Sequence, residues 1–94
     1  MVTVRIPPIL RPDAGGNRQV EIADGTVRQV LEGLIADYPS LRERLFDGGE
    51  LPQFLNVFID STDVRLLNGL DTEVPDGSTL ILLPAVAGGT DLPR

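Results

Sequence analysis

Cysteine, histidine, tryptophan and lysine are all absent from the 94 residues, so each of the eight basic side chains is an arginine. Without cysteine there is no disulfide framework and no thiolate ligand. With histidine missing as well, the usual zinc and copper ligand sets are gone, and only oxygen sites of the Ca²⁺ or Mg²⁺ kind remain open. Covalent catalysis ordinarily needs a serine, cysteine or lysine activated by a neighbouring base, most often histidine, and here only carboxylates could fill that role. The chain therefore reads as a protein on which enzymes act, with no metal and no bound cofactor of its own. Lacking lysine, it offers no side-chain amine to an isopeptide bond and could only be a donor in such chemistry.

Positive charge is also scarce. Fourteen acidic residues against eight arginines leave a net charge of −6, which argues against nucleic acid and anionic membrane surfaces, since both need a basic footprint. It favours instead a partner with a positive docking face. No apolar run approaches the ~20 residues of a membrane span, and the N-terminus lacks a charged-then-apolar signal layout, so a cytoplasmic location is expected. At this length one domain is expected, because two would each lack a core.

Hydrophobic spacing supplies the elements. Val2, Val4 and Ile6 alternate with Thr3 and Arg5 as a half-buried strand that Pro7-Pro8 ends; Val20 and Ile22 alternate again after the turn formers of 11–17, giving a long-looped hairpin. Val27, Val30, Leu31, Leu34, Ile35 and Tyr38 form one helical stripe, with Thr26 and Gln29 at capping-box spacing and Pro39 as the stop. Ser40 and Glu43 repeat that spacing and predict a short second helix through Leu41 and Leu45, stopped by Gly48-Gly49. Phe54–Ile59 predicts a strand with Leu55, Val57 and Ile59 toward the helix, and Val64–Leu66 a short strand. Asn68-Gly69 and Asp76-Gly77 mark turns, and Leu80–Leu83, apolar on both faces, reads as a central strand.

The resulting order is the β-grasp (ubiquitin-like) layout of the α+β class: a mixed sheet of four to five strands with one main helix and one short helix. In it the first and last strands lie side by side and parallel, and one sheet face stays uncovered as a candidate docking surface. Residues 1–87 are assigned to this domain, with a flexible tail from about residue 84, a reactive Gly-Gly terminus at 88–89 and a removable extension at 90–94.

A β-grasp order ending in Leu83-Pro84-Ala85-Val86-Ala87-Gly88-Gly89 resembles the MoaD/ThiS family of ubiquitin-like sulfur carriers. Ile9-Leu10-Arg11-Pro12 with Gly15-Gly16, Asp63-Val64-Arg65 with Gly69-Leu70, and the tail itself extend the likeness to the CysO-type carriers of cysteine biosynthesis. The resemblance implies that an ATP-dependent, ubiquitin-activating-like enzyme adenylates the carboxylate of Gly89. Sulfur then replaces AMP to leave a thiocarboxylate, and a partner enzyme consumes that sulfur. The consumer is a PLP-dependent cysteine synthase or, in the sister reading of the chain as a MoaD-like small subunit, the large subunit of molybdopterin synthase. A third reading is a ubiquitin-like interaction module without covalent chemistry, in which Gly88 and Gly89 would tolerate bulky replacements.

Threading a carboxylate into another protein's nucleotide site suits glycine, which has no side chain to obstruct a narrow channel. Leu83 to Gly89 reaches about 20 Å when extended, and Pro84, Ala85, Val86 and Ala87 form the threading segment. The sequence continues past Gly89 as Thr90-Asp91-Leu92-Pro93-Arg94, which ties the glycine carboxyl into a peptide bond. Removal of that extension at Gly89-Thr90 by a zinc metalloprotease is the expectation, against an inert tail or cloning remnant.

Three further features are weighed. Gly15-Gly16 lacks the following Lys-Ser/Thr and the helix of a phosphate loop, and reads as a hairpin loop. Asp60 and Asp63 lack the spacing of a calcium loop, while Asp71, Glu73 and Asp76 form either an exposed acidic rim that aids encounter or a general solubility feature. Phe54 and Phe58 share a row with Asn56, which is costly to bury unpaired; that row is a partner-docking surface unless the short helix covers it.

Overall fold

The computed structural model describes residues 1–84. The calls on Ala85, Val86, Ala87, Gly88, Gly89 and Thr90 lie outside the described residues. β1 (Val2–Arg5) buries Val2 and Val4, and Pro7, lacking a backbone donor, leads into a 3₁₀ helix over Pro8–Ala14 that buries Leu10 and Ala14. The connection to β2 (Gln19–Ile22) is therefore a packed element rather than an open loop. Gly15 closes it at φ 65°, and the space a Cβ would take there lies 3.2 Å from the Tyr38 ring.

After β3 (Gly25–Thr26) comes α1 (Val27–Asp37), whose first turn is closed as its spacing predicts. Thr26 Oγ1 accepts from the Gln29 amide at 3.2 Å, and Gln29 Oε1 accepts from the Thr26 amide at 2.9 Å. This capping box satisfies two donors that would otherwise face water alone. Val27, Val30, Leu31, Leu34 and Ile35 are buried along one stripe. Ser40 does not repeat the cap: its hydroxyl donates to the Asp13 carbonyl at 3.2 Å. Pro39–Leu41 forms a 3₁₀ turn instead, and α2 (Arg42–Leu45) follows.

The remaining strands are β4 (Leu55–Ile59), β5 (Thr62–Asp63), β6 (Glu73–Val74) and β7 (Thr79–Pro84). Val64–Leu66, predicted as a strand, is a 3₁₀ turn. The Asp63 carboxylate accepts from the Arg65 amide at 2.9 Å, a local bond that competes with the strand ladder. Asp60, at φ 57°, turns β4 into β5.

The main sheet has the order β2-β1-β7-β4-β5, and β3 and β6 make a separate two-stranded pair. β1 and β7 run parallel in the interior, Val4 beside Leu80, while the other neighbours in the sheet are antiparallel. The predicted mixed sheet with a parallel central pair is therefore observed, with five strands. α1 covers one face, and Val2, Val4, Leu55, Val57, Leu80 and Leu82 meet it in a single core that Leu41 and Leu45 complete. The small pair was not expected, because two-residue strands carry no periodicity; it anchors the start of α1, where the Val27 amide donates to the Thr72 carbonyl at 2.9 Å.

At Gly33 the helix passes close to β2, since a Cβ there would stand 2.9 Å from Ile22 Cγ2. In an open helix interior, replacing glycine by alanine gains about 1 kcal/mol. Gly33→Ala is expected to lower the urea midpoint instead, whereas a raised midpoint would mean that α1 and β2 separate freely. Thr26→Ala should cost about 1 kcal/mol through the lost cap, read as a lower midpoint at unchanged m.

Candidate functional site

The face of the sheet opposite α1 is built by strict alternation. Since Val2, Val4, Leu55, Val57, Leu80 and Leu82 point inward, Thr3, Arg5, Asn56, Phe58, Ile81 and Leu83 point outward. Register then places Gln19, Arg5, Ile81, Phe58 and Asp63 in one row across all five strands, with Leu83 beside Asn56 in the next. Ile81, Phe58 and Leu83 thus make an apolar centre with a polar surround. Leu83 is 47% exposed, and Phe54, just before β4, is 50% exposed. The short helix does not lie over this row, since Leu41 and Leu45 belong to the core with α1.

Asn56 is half-buried but not unpaired. Arg65 donates from Nη1 to Asn56 Oδ1 at 3.1 Å and from Nη2 to the Pro52 carbonyl at 2.7 Å, so one guanidinium braces β4 and the segment that leads into it. Phe58 takes the outward position that the alternation predicts, whereas Phe54, expected within the strand, lies in the turn just before β4. Ile81 and Leu83 are the residues that attention to aromatics overlooks, although the unbroken run Leu80-Ile81-Leu82-Leu83 already shows apolar side chains on both faces.

Pro84, the first residue of the expected threading segment, lies next to this patch. Pro84 is the last residue of β7 and lies opposite Leu55, so the sequence that runs on to Gly88-Gly89 leaves from an interior strand, one residue after Leu83. At the same end of the sheet a groove of about 470 Å³ is lined by Arg5, Arg11 and Arg18 together with Pro7, Ile81 and Leu83.

Asp71, Glu73 and Asp76 are all exposed, as the rim expectation has it, and two of them also pair within the molecule. Asp71 is paired with Arg28 at 2.6 Å, and Asp76 accepts from the Met1 ammonium, a contact that holds the Asp76 carboxyl below its usual range and the amine above its own. Asp60 Oδ1 accepts from the Thr79 amide at 3.2 Å, which fastens the β4–β5 turn to β7, and Asp63 is held by the Arg65 amide. Gly15 lies beside Tyr38, whose hydroxyl accepts from Asn17 Nδ2 at 2.9 Å, and Gly16 faces open space. Among the described residues no group of three or more Asp or Glu is placed to hold a metal ion, and no helix is long and apolar enough to cross a membrane.

A β-grasp sheet whose interior strand runs on toward Gly-Gly, beside an exposed apolar patch, defines a ubiquitin-like carrier. The ThiS family model matches residues 4–89, and the chain belongs to the ThiS family. It is similar to the sulfur carrier protein CysO of Mycobacterium tuberculosis, 44% identical over 91 residues that span 94% of this chain and 98% of that one. Among solved structures it is similar to a chain of the BexX/CysO complex of Amycolatopsis orientalis, with TM-score 0.90, 43% identity, and coverage of 95% of this chain and 100% of that chain. M. tuberculosis CysO gives TM-score 0.86 at 42% identity, over 92% of this chain and 100% of the other. The family and these likenesses support a sulfur-carrier role.

Leu82 and Leu83 are adjacent yet serve opposite faces. Leu82→Ala should cost about 2–5 kcal/mol, the range for a large-to-small change in a packed core. Leu83→Ser should stay within about 0.5 kcal/mol of the parent; denaturant titration of the two variants checks both.

Proposed function

We propose that the chain carries sulfur as a thiocarboxylate on Gly89, formed after the Gly89-Thr90 bond is hydrolysed and supplied to a sulfur-accepting enzyme of cysteine biosynthesis or a related pathway. The observation that carries this reading is the extent of the family match, which includes Gly88 and Gly89 and leaves out Thr90–Arg94. Hydrolysis, by a protease such as a zinc metalloprotease, frees the Gly89 carboxylate. That carboxylate attacks the α-phosphorus of ATP on an adenylating enzyme and releases pyrophosphate. Hydrosulfide then attacks the acyl carbon and expels AMP, leaving C(=O)S⁻ at the terminus.

The chain's own contribution is presentation. Glycines at 88 and 89 let the terminus enter a narrow site, while the Ile81–Phe58–Leu83 patch supplies apolar contact next to the exit at Pro84. Docking contacts of this kind offset the entropy of fixing the tail. The CysO of Amycolatopsis orientalis is solved in complex with BexX, which supports a role for the folded domain here in docking on a protein partner. A carrier needs no catalytic group, in keeping with a chain that has neither cysteine nor histidine.

Incubating the chain with extract of the cell that makes it, then with ATP, sulfide and the purified activating enzyme, tests the reading by intact mass. The expected product ends at Gly89 and has one oxygen replaced by sulfur; persistence of Thr90–Arg94 on every molecule would sink the maturation step. Gly89→Val, introduced into a chain ending at 89, should abolish the sulfur-bearing species without moving the unfolding midpoint. Phe58→Ser should leave the fold intact and weaken activation by roughly tenfold or more, as loss of an aromatic anchor does. Unimpaired activation would remove the open sheet face from the docking surface.

A further inference from the structure

The net charge of −6 leads to the expectation of a positive partner surface, but the charge is not spread evenly. Among the described residues, ion pairs engage Arg28, Arg42 and Arg44 with Asp71, Glu32 and Asp13, whereas no carboxylate pairs with Arg5, Arg11 or Arg18. Those three line the groove at the tail-exit end of the sheet, and no acidic residue is among its lining. Three elements bring them there. Alternation in β1 turns Arg5 outward beside Ile81. The 3₁₀ helix delivers Arg11, whose Nε donates to the Ile6 carbonyl at 3.1 Å, fixing the guanidinium against the end of β1. Arg18 precedes β2, and its carbonyl accepts from the Ile6 amide at 2.8 Å, which extends the β1–β2 ladder to the rim of the groove.

Arg5, Arg11 and Arg18, with no carboxylate paired to them among the described residues, set like charges along one groove in a protein with almost twice as many acids as bases. The groove is floored by Ile81 and Leu83, so its chemistry is cationic walls over an apolar base. A nucleic acid would meet the repulsion of the remaining surface, and a lone inorganic anion would make no use of the apolar floor.

From this arrangement we infer that the groove of Arg5, Arg11 and Arg18 is the docking site for an acidic segment of the enzyme that receives the tail, one with carboxylates flanking an apolar side chain. The inference rests on the carrier reading for the identity of that enzyme. It also revises the expectation drawn from net charge: the partner surface next to the tail channel is negative, and any positive area meets the far side of the domain. Arginine pairs carboxylates bidentately, and at an interface such pairs set orientation and encounter rate. A carrier docked through this groove is held at the point where its tail must enter, with the Ile81–Leu83 floor common to the groove and the apolar patch.

Titration of the ¹⁵N-labelled full chain with the peptide Ac-Glu-Glu-Leu-Glu-NH₂ tests the site directly. Expected are saturable shifts confined to Arg5, Arg11, Arg18, Gln19, Ile81 and Leu83, weakened by salt. The lysine counterpart of the peptide should give none. Arg5→Glu with Arg18→Glu should reduce affinity roughly tenfold or more, while Arg5→Lys with Arg18→Lys should lose less, since lysine keeps the charge but not the fork. The amide spectrum of each variant reports that it is folded. Shifts spread over the whole surface, or equal shifts with sodium phosphate, would overturn the inference. So would binding that appears only after residues 90–94 are deleted, which would make the chain's own segment the occupant. Failure of the chain to acquire sulfur in the mass experiment would sink the carrier reading and leave the titration result standing by itself.

Discussion

The parallel ladder between β1 and β7 places what the protein presents to a partner. Thr3 pairs with Thr79, Val4 with Leu80 and Arg5 with Ile81, which joins the first strand to the last strand described. A parallel pair needs a long crossover, because its two strands must start from the same end of the sheet. The intervening residues supply α1 as the cover for one face and β4 as the second neighbour of β7. Once that ladder is set, the pleat settles which face each residue takes: Val4 and Leu80 go to the core, Arg5 and Ile81 to the open face.

The same ladder explains why recognition and reaction can be divided between different parts of the chain. Gly88 and Gly89 offer no side chain by which to be recognised, and the chain has neither cysteine nor histidine. In the proposed carrier role, recognition falls to side chains near the exit of β7, where Leu83 is exposed and Arg5 stands beside Ile81. Orientation follows from strand direction: β1 and β7 both end at the groove, so an enzyme that grips Arg5 and Arg11 is already next to Pro84. Negative charge elsewhere, as in the Asp71–Arg28 pair, is partly engaged within the molecule and contributes less to steering than the raw count of acids implies.

Much of this architecture is legible in residue spacing. The stripe from Val27 to Ile35, the Thr26–Gln29 box and the doubly apolar run Leu80–Leu83 each carry a periodic or reciprocal signal extending over several residues, and the fold reproduces all three. Where the signal is short, local chemistry prevails. Ser40 has the spacing of a cap, yet its hydroxyl finds the Asp13 carbonyl, a partner 27 positions away that no local rule reveals. Val64–Leu66 has the composition of a strand, but the Asp63 side chain offers the Arg65 amide a nearer acceptor. For the site, the row containing Phe58 follows from alternation alone. The assembly of Arg5, Arg11 and Arg18 does not, because they sit on a strand, a 3₁₀ helix and a loop, and only the folded hairpin brings them to one groove.

The position of Pro84 has a mechanical consequence. If the tail works inside an enzyme, as proposed, tension on its withdrawal enters the domain through β7, which is hydrogen-bonded to β1 on one side and to β4 on the other. Pulled along its own axis, an interior strand of this kind is loaded in shear, so the bonds of both ladders share the force together instead of opening one after another from an edge. On the proposed reading, a terminus attached to this interior strand lets the carrier be withdrawn with its domain still folded.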